Sequence, residues 1–357
     1  MSQIDLRSIK TQNMMSVFKA INSESSISRN DISAKTSLSL MTVGKIVDTF
    51  LECGVAVETK VQSTKVGRKA CAVSLDTEKK KIFILDLTTR NFLLKMLNLR
   101  CGNSNEGISW EYDNKMSYEE NLCSALKEFR QAAQNASLVA GDILGVGIIV
   151  PGPYLYQQDQ VNCIRIAELS HIHLRKLLGD VFDGIPVFID EDVKYAVRYH
   201  AQNIEKSDEK SVFYGYIGEG VGGAVMANGV LVMGKNSVAG DFGQMRIGGT
   251  TLEKQISSVN VRNFSNQDEV LSYIESTIPV LAEALQNVCW MLNPHVVVLE
   301  SSYINLLPGY IEKVQETLST MLPAENMPQF IVQNSLQQSS YQGAAIVVIE
   351  RWISNFI

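Results

Sequence analysis

The chain has 357 residues, 45% of them apolar and 20% charged, with a net charge of −6. That balance is ordinary for a globular protein, and no apolar run approaches the roughly 18 residues that a membrane span needs. The six cysteines are scattered without a CxxC pair, and four histidines leave few ligands for zinc. Buried, reduced thiols are expected. The beginning "MSQIDLRSIK" carries Asp5 and lacks an apolar core. It is no secretory signal, and a cytoplasmic location is expected.

The charge is uneven. Residues 1–70 hold ten Lys/Arg and six Asp/Glu, a net of +4 that leaves −10 for the remainder. A basic end on an acidic body suggests an anionic partner for the first segment. Met14, Val17, Phe18 and Ile21 lie at i, i+3, i+4 and i+7 and predict a first helix. Ser28 reads as the N-cap of a second, with Asp31 reaching back in a capping box, running to about Ala34. A tight turn at 37–39 leads to a third helix. Val43, Ile46, Val47, Phe50 and Leu51 form its stripe, and Gly54 stops it. Two strand-like runs, 55–60 and 70–75, then flank a polar, basic tip.

This is the plan of a winged helix-turn-helix. In it the N-terminal residues of the third helix face the bases. Candidate DNA contacts are Ser39, Met41, Thr42 and Lys45, with Leu40 beside them, and Ser28 and Arg29 at the start of the second helix. Lys65, Gly67, Arg68 and Lys69 at the wing tip suit phosphates or the minor groove. A small protein-interaction domain with a solvated basic hairpin is the alternative.

Beyond residue 75 strands and helices alternate, which is an α/β pattern. "KIFILDL" and "FLLKMLNL" read as a hairpin, and "YEENLCSALKEFRQAAQNA" as a helix. "GDILGVGIIVPGP" is a buried strand ending in a turn, and "HLRKLLGDVF" is helical. "GIPVFIDEDVKYAVRYHAQN" passes from strand to helix, and "SVFYGYIGEGVGGAVMANGVLVMG" is a strand–turn–strand. "VLAEALQNVCWMLNPHVVVLES" is a helix followed by a buried strand. Residues 82–99 and 212–233 form a weak repeat, as in a duplicated α/β fold with a ligand cleft between its halves.

A winged helix followed by "GVGIIVPGP", "IPVFIDEDVKYA", "YIGEGVGGAVMANGVLVMG", "AGDFGQM" and "YQGAA" resembles the ROK family (repressors, open reading frames, sugar kinases). The resemblance covers nearly the whole chain and points to the branch of N-acetylglucosamine and xylose repressors. It implies a winged helix-turn-helix over 1–75 and then a two-domain actin/hexokinase-like (ribonuclease H-like) fold. The first α/β subdomain would span 76–190, with a C-terminal helix at about 335–357 packing back on it. The second would span 191–334.

The resemblance also implies a sugar site. Asp192 falls on the Asp that bonds a sugar hydroxyl and, in the family's kinases, serves as general base. Glu191 and Lys194 replace two asparagines, and Lys194 could neutralise one of three neighbouring acids. Asp241 and Gln244 stand for a Glu and a His. Glu253 matches the last sugar-contacting Glu, Gly152 lies in the loop beside the sugar, and Glu168 falls on another usual contact. The family's cysteine-rich segment has no counterpart in "GGTTLEKQIS", so no metal and no cofactor are expected.

The phosphate-binding elements depart from the family. "DLTTRN" at 86–91 has lost both glycines, Glu219 sits inside the second glycine turn, and Glu300 and Ser301 replace a Gly-Gly. A carboxylate beside polyphosphate repels it. The expected protein is therefore a homodimeric repressor, not an enzyme, with operator DNA and a carbohydrate or sugar-like effector as partners. The acids tolerate a neutral or amino-bearing sugar and disfavour a phosphorylated one. Two alternatives are a sugar kinase with an appended DNA-binding domain and a regulator whose sensor domain binds nothing.

Overall fold

The computed structural model describes residues 6–60, 71–102, 107–135, 140–163, 165–182, 184–333 and 335–355. In chain order the elements are α1 (Leu6–Asn22), β1 (Ile27–Ser28), α2 (Arg29–Thr36), α3 (Leu40–Glu52), β2 (Ala56–Lys60) and β3 (Cys71–Leu75). Then come β4 (Lys81–Asp86), β5 (Phe92–Asn98), β6 (Ile108–Trp110), α4 (Tyr118–Asn135), β7 (Ile143–Val150), β8 (Tyr154–Leu155) and β9 (Gln160–Val161). They are followed by α5 (Leu174–Val181), β10 (Val187–Glu191), α6 (Asp192–Gln202), β11 (Ser211–Ile217), β12 (Val221–Ala227) and β13 (Val230–Leu231). The remainder is β14 (Arg246–Ile247), β15 (Thr250–Thr251), α7 (Leu252–Ile256), α8 (Gln267–Leu292), β16 (Val296–Ser301), α9 (Tyr310–Ser319), β17 (Gln329–Gln333) and α10 (Leu336–Ser354). Two compact units emerge: residues 1–148, 174–189 and 344–357 form one, and residues 149–173 and 190–343 form the other.

The first unit opens with α1–α3 on a three-stranded sheet ordered β1-β3-β2. The apolar stripes of α1 and α3 close on each other, with Phe18 and Phe50 edge to face at 6.2 Å. Ser28 caps α2 by accepting from the Asp31 N–H at 3.2 Å, and its hydroxyl donates to the Asp31 carboxylate at 2.6 Å. Asp31 thus reaches back to the cap residue, through the Ser28 hydroxyl. Helix α2 runs on to Thr36, and Ser37 makes the turn in the left-handed region. Strands β2 and β3 pair antiparallel from Ala56↔Leu75 to Lys60↔Cys71. The body of this unit is a sheet ordered β10-β7-β4-β5-β6, with β4 and β7 buried along their whole length.

The second unit holds a sheet ordered β13-β12-β11-β16-β17. Both five-stranded sheets follow one plan. Their first two strands form an antiparallel hairpin, the third extends it outward, and the fourth and fifth add on the other side of the first. The alternation of residues along β11 sends Phe213 and Ile217 to a core with α8 and α9, and Val212 and Tyr214 to a core with α6. Helix α8 starts at Gln267, well before the run that reads as helical in the sequence, and carries Pro279 inside it. Asn266 caps it by accepting from the Glu269 N–H at 2.9 Å. In "YQGAA", Gly343 lets α10 meet α6: a Cβ there would overlap the Tyr195 carbonyl oxygen.

None of the six cysteines is in a disulfide. Cys101, Cys163 and Cys289 are buried, while Cys53, Cys71 and Cys123 are half-buried, which corrects the expectation of burial for three of them.

Candidate functional site

Strand β10 delivers Glu191 to the point where α6 begins with Asp192. An acid in the first helical turn is favoured by the partial positive charge of the free N–H groups there, and Asp192 Oδ1 accepts from the Val193 N–H at 2.8 Å. Glu191, Asp192 and Val193 line a cavity of about 240 Å³. The same cavity is lined by Gly152, between Pro151 and Pro153, and by Asp241, Gln244 and Glu253. Every lining residue belongs to the second unit. Glu168 is not among them. It sits exposed on the short turn Ala167–His171, a correction to its place in the expected set. From the same segment Arg165 lines the cavity instead, with Asn162, Cys163 and Tyr216. These four lie outside the expected set. Tyr216 could have been suspected from its place just before the glycine turn.

Beneath the floor lies Lys194, 1% exposed. Its ammonium is 3.1 Å from Glu191, 3.8 Å from Asp190 and donates to the Ser237 carbonyl at 2.6 Å. Burial still outweighs it. The Glu191 carboxyl is pushed up to about 8 by loss of solvent, against the pull of Lys194 and with the push of Asp192. Asp190 is raised for the same first reason. Asp241 is raised by burial and then by the charge of Glu253. Glu253 is held in place by the Val221 N–H and the Gln244 amide, each 3.4 Å away.

The glycine turn joining β11 to β12 is closed by bonds within the chain. Gly218 N–H donates to the Gly220 carbonyl at 2.9 Å, Ser258 N–H to Gly218 at 2.8 Å, and the Ser257 hydroxyl to Glu219 at 2.7 Å. Arg262 pairs with the Glu219 carboxylate, and Arg165 stands 3.9 Å from it. A Cβ at Gly218 would overlap the Tyr216 hydroxyl, which folds under the turn. In the first unit, the "DLTTRN" turn is likewise bonded to itself, Thr88 donating to Asp86 from N at 2.8 Å and from Oγ1 at 2.6 Å. On β16, buried Glu300 accepts from the Tyr214 hydroxyl, from Ser335 N at 3.0 Å and from Ser339 Oγ at 3.3 Å.

At the other candidate surface, Leu40 is 52% and Met41 71% exposed at the start of α3, and Lys45 is exposed one turn on. Ser39 caps the helix, accepting from the Thr42 N–H at 3.2 Å, and the Ser39 and Thr42 hydroxyls bond each other at 2.9 Å. Arg29 is bound internally. It pairs with Asp48 at 2.8 Å and Glu58 at 3.4 Å, so it clamps α2 to α3 and β2. Ser28, as described, caps α2. Lys65, Gly67, Arg68 and Lys69 lie outside the described residues.

Comparison with known proteins finds one family model and a set of distant relatives. Residues 109–255 match the ROK family. The chain is 25% identical over 277 residues to a xylose repressor of Caldicellulosiruptor bescii, covering 76% of this chain and 67% of that one. It is 20% identical to a xylose repressor of Staphylococcus xylosus, with 97% and 96% covered. In structure it is similar to a ROK family transcriptional regulator described as a homologue of the E. coli MLC protein. There the TM-score is 0.76 at 18% identity, with 97% of each chain covered. The fold of that regulator is thus shared over nearly the full length, with an actin/hexokinase-like α/β body, and residues 109–255 are the part that matches the ROK family.

Proposed function

We propose that this protein is a DNA-binding repressor that answers to a carbohydrate effector and does not transfer phosphate. The observation that carries the reading is the start of α3, where Leu40, Met41 and Lys45 stand exposed while the opposite face of the helix is buried. Large apolar side chains at a helix N-terminus suit thymine methyl groups, and a lysine suits phosphate or guanine. In this reading α1–α3 and β1–β3 are a winged helix-turn-helix. Met41, Thr42 and Lys45 meet DNA, while Ser28, Arg29 and Ser39 hold the helices in place, and Lys65, Arg68 and Lys69 supply phosphate contacts. The protein works as a homodimer in the cytoplasm, because one such module buries too little DNA for tight specificity.

The effector occupies the cavity at Asp192. Carboxylates and an amide there accept and donate to hydroxyl groups, and the cavity is small against the roughly 300–1,000 Å³ of drug-sized ligand sites. The closed glycine turn with Glu219, the self-bonded "DLTTRN" turn and buried Glu300 all oppose ATP. Selection of DNA from a random pool by the full chain tests the reading. Enrichment of a sequence that Met41→Asp and Lys45→Glu no longer retain supports it, and no enrichment counts against it. Asp192 favours one second reading, a sugar kinase with an added DNA-binding segment. Hexose-dependent ADP release that Asp192→Asn abolishes would establish that reading instead.

A further inference from the structure

The cavity holds more negative than positive charge. Asp192, Asp241 and Glu253 line it against one cation, Arg165, while burial holds the fourth acid, Glu191, toward its neutral form. Lys194 is occupied by Glu191, Asp190 and the Ser237 carbonyl, and Arg165 stands beside Glu219. Asp241 and Glu253 remain. Among the described residues neither takes part in an ion pair. They come from separate segments, the turn before Phe242 and helix α7, yet both face one cavity. Their charges work against each other: burial and then Glu253 raise the carboxyl of half-buried Asp241, and Lys194 offsets them only in part.

Neutral hydroxyl groups can donate to these two carboxylates but leave their repulsion in place. A phosphate adds to it, and a cation between them removes it. A bare metal ion does not suit the site, because among the described residues no three His, Cys, Asp or Glu side chains gather closely enough to hold one. The other polar groups of the lining, Asn162, Gln244 and Tyr216, are spaced around a volume that fits an organic ring.

We propose, building on the carbohydrate-responsive reading above, that the effector is an amino sugar with a free ammonium group seated between Asp241 and Glu253. Its hydroxyls face Asp192 and Glu191. An N-acetyl group in the same place would remove the charge and forfeit the pairing.

The test is calorimetric titration of the full chain with D-glucosamine, D-galactosamine and D-mannosamine. The controls are their neutral parents, N-acetyl-D-glucosamine, D-glucose 6-phosphate, and ethanolamine as an amine without a ring. At least one hexosamine is expected to bind about thirtyfold or more tightly than its parent, the scale set by removing one partner of a buried charge pair. That advantage is lost as pH rises past the pKa of the amine. It is also lost in Glu253→Gln and in Asp241→Asn, each shown to be folded by its melting curve. A neutral parent that binds as tightly as its amine overturns the proposal and leaves the carbohydrate-responsive reading standing. Ethanolamine binding as tightly as the hexosamines also overturns it, because the ring then adds nothing. If none of these compounds binds, the proposal is overturned, and the carbohydrate-responsive reading stands or falls with the release of DNA by sugar.

Discussion

Lys194 lies 3.1 Å from Glu191, and both side chains are withdrawn from solvent at the root of α6. The sequence places three acids and a lysine within five positions, 190–194, and their spacing puts the lysine one turn below the acids. Replacing Lys194 with Met leaves Asp190 and Glu191 buried without their cation. Such a change costs about 3–5 kcal/mol. Urea unfolding above pH 8, where the Glu191 carboxyl is ionised, should show that loss for Lys194→Met, and a partial recovery when Glu191→Gln is added.

Glu191 also sets a pH dependence. Unfolded, its carboxyl has the ordinary value of 4.5, and folded it is pushed up to about 8 by burial. Between those values the folded state binds more protons than the unfolded state, so this residue's contribution to stability falls as pH rises through the window. His200, lowered to about 4 by burial, acts with the opposite sign below its ordinary 6.5. The comparison is therefore made against a variant at each pH. Glu191→Gln should lose less stability than the wild type between pH 5 and pH 8, read from urea midpoints. An identical slope in both proteins contradicts this.

Arg100, in the turn after β5, holds the end of α1. It donates to the carbonyls of Asn22 at 2.9 Å and Glu24 at 2.6 Å. A cation at a helix C-terminus meets free carbonyl groups and the negative end of the helix dipole. Arg100→Ala should destabilise α1–α3 by on the order of 1–2 kcal/mol. Hydrogen exchange is expected to speed up across α1 and α2 while β16 and α8 keep their protection.

Much of the fold is legible in the sequence because alternation and helical spacing are local. The weak likeness of residues 82–99 to 212–233 marks the opening hairpins of two sheets with one strand order. Gly152, Glu191, Asp192 and Glu253 come together because their motifs follow strands or open helices, and Asp241 and Gln244 join them from the short turn around Phe242. Arg165 was not legible, since it sits in an irregular loop where no periodicity points a side chain anywhere. Glu168, from the same loop, was misplaced for the same reason. The inward turn of Arg29 depends on Asp48 and Glu58, partners far along the chain that spacing cannot pair. The early start of α8 was hidden by Pro279, which normally marks a boundary rather than an interior position.

If phosphate binding has lapsed, opening the glycine turn should not restore it alone. Glu219→Gly removes the partner of Arg262 but leaves Glu300 and the "DLTTRN" turn in place. No hexose-dependent ADP release is expected from this variant or from the wild type in a coupled assay. Turnover in either contradicts the expectation.

The most direct measurement is release of DNA by sugar. Fluorescence anisotropy of the full chain on a DNA sequence it selects, with and without a panel of neutral and amino sugars, reads it. A carbohydrate repressor should lose about tenfold or more in DNA affinity with at least one sugar, within the range of ordinary allosteric coupling. The Asp192→Ala variant should bind the DNA equally well and ignore the sugar. DNA binding that no sugar alters, or a sugar response that Asp192→Ala leaves intact, contradicts the account.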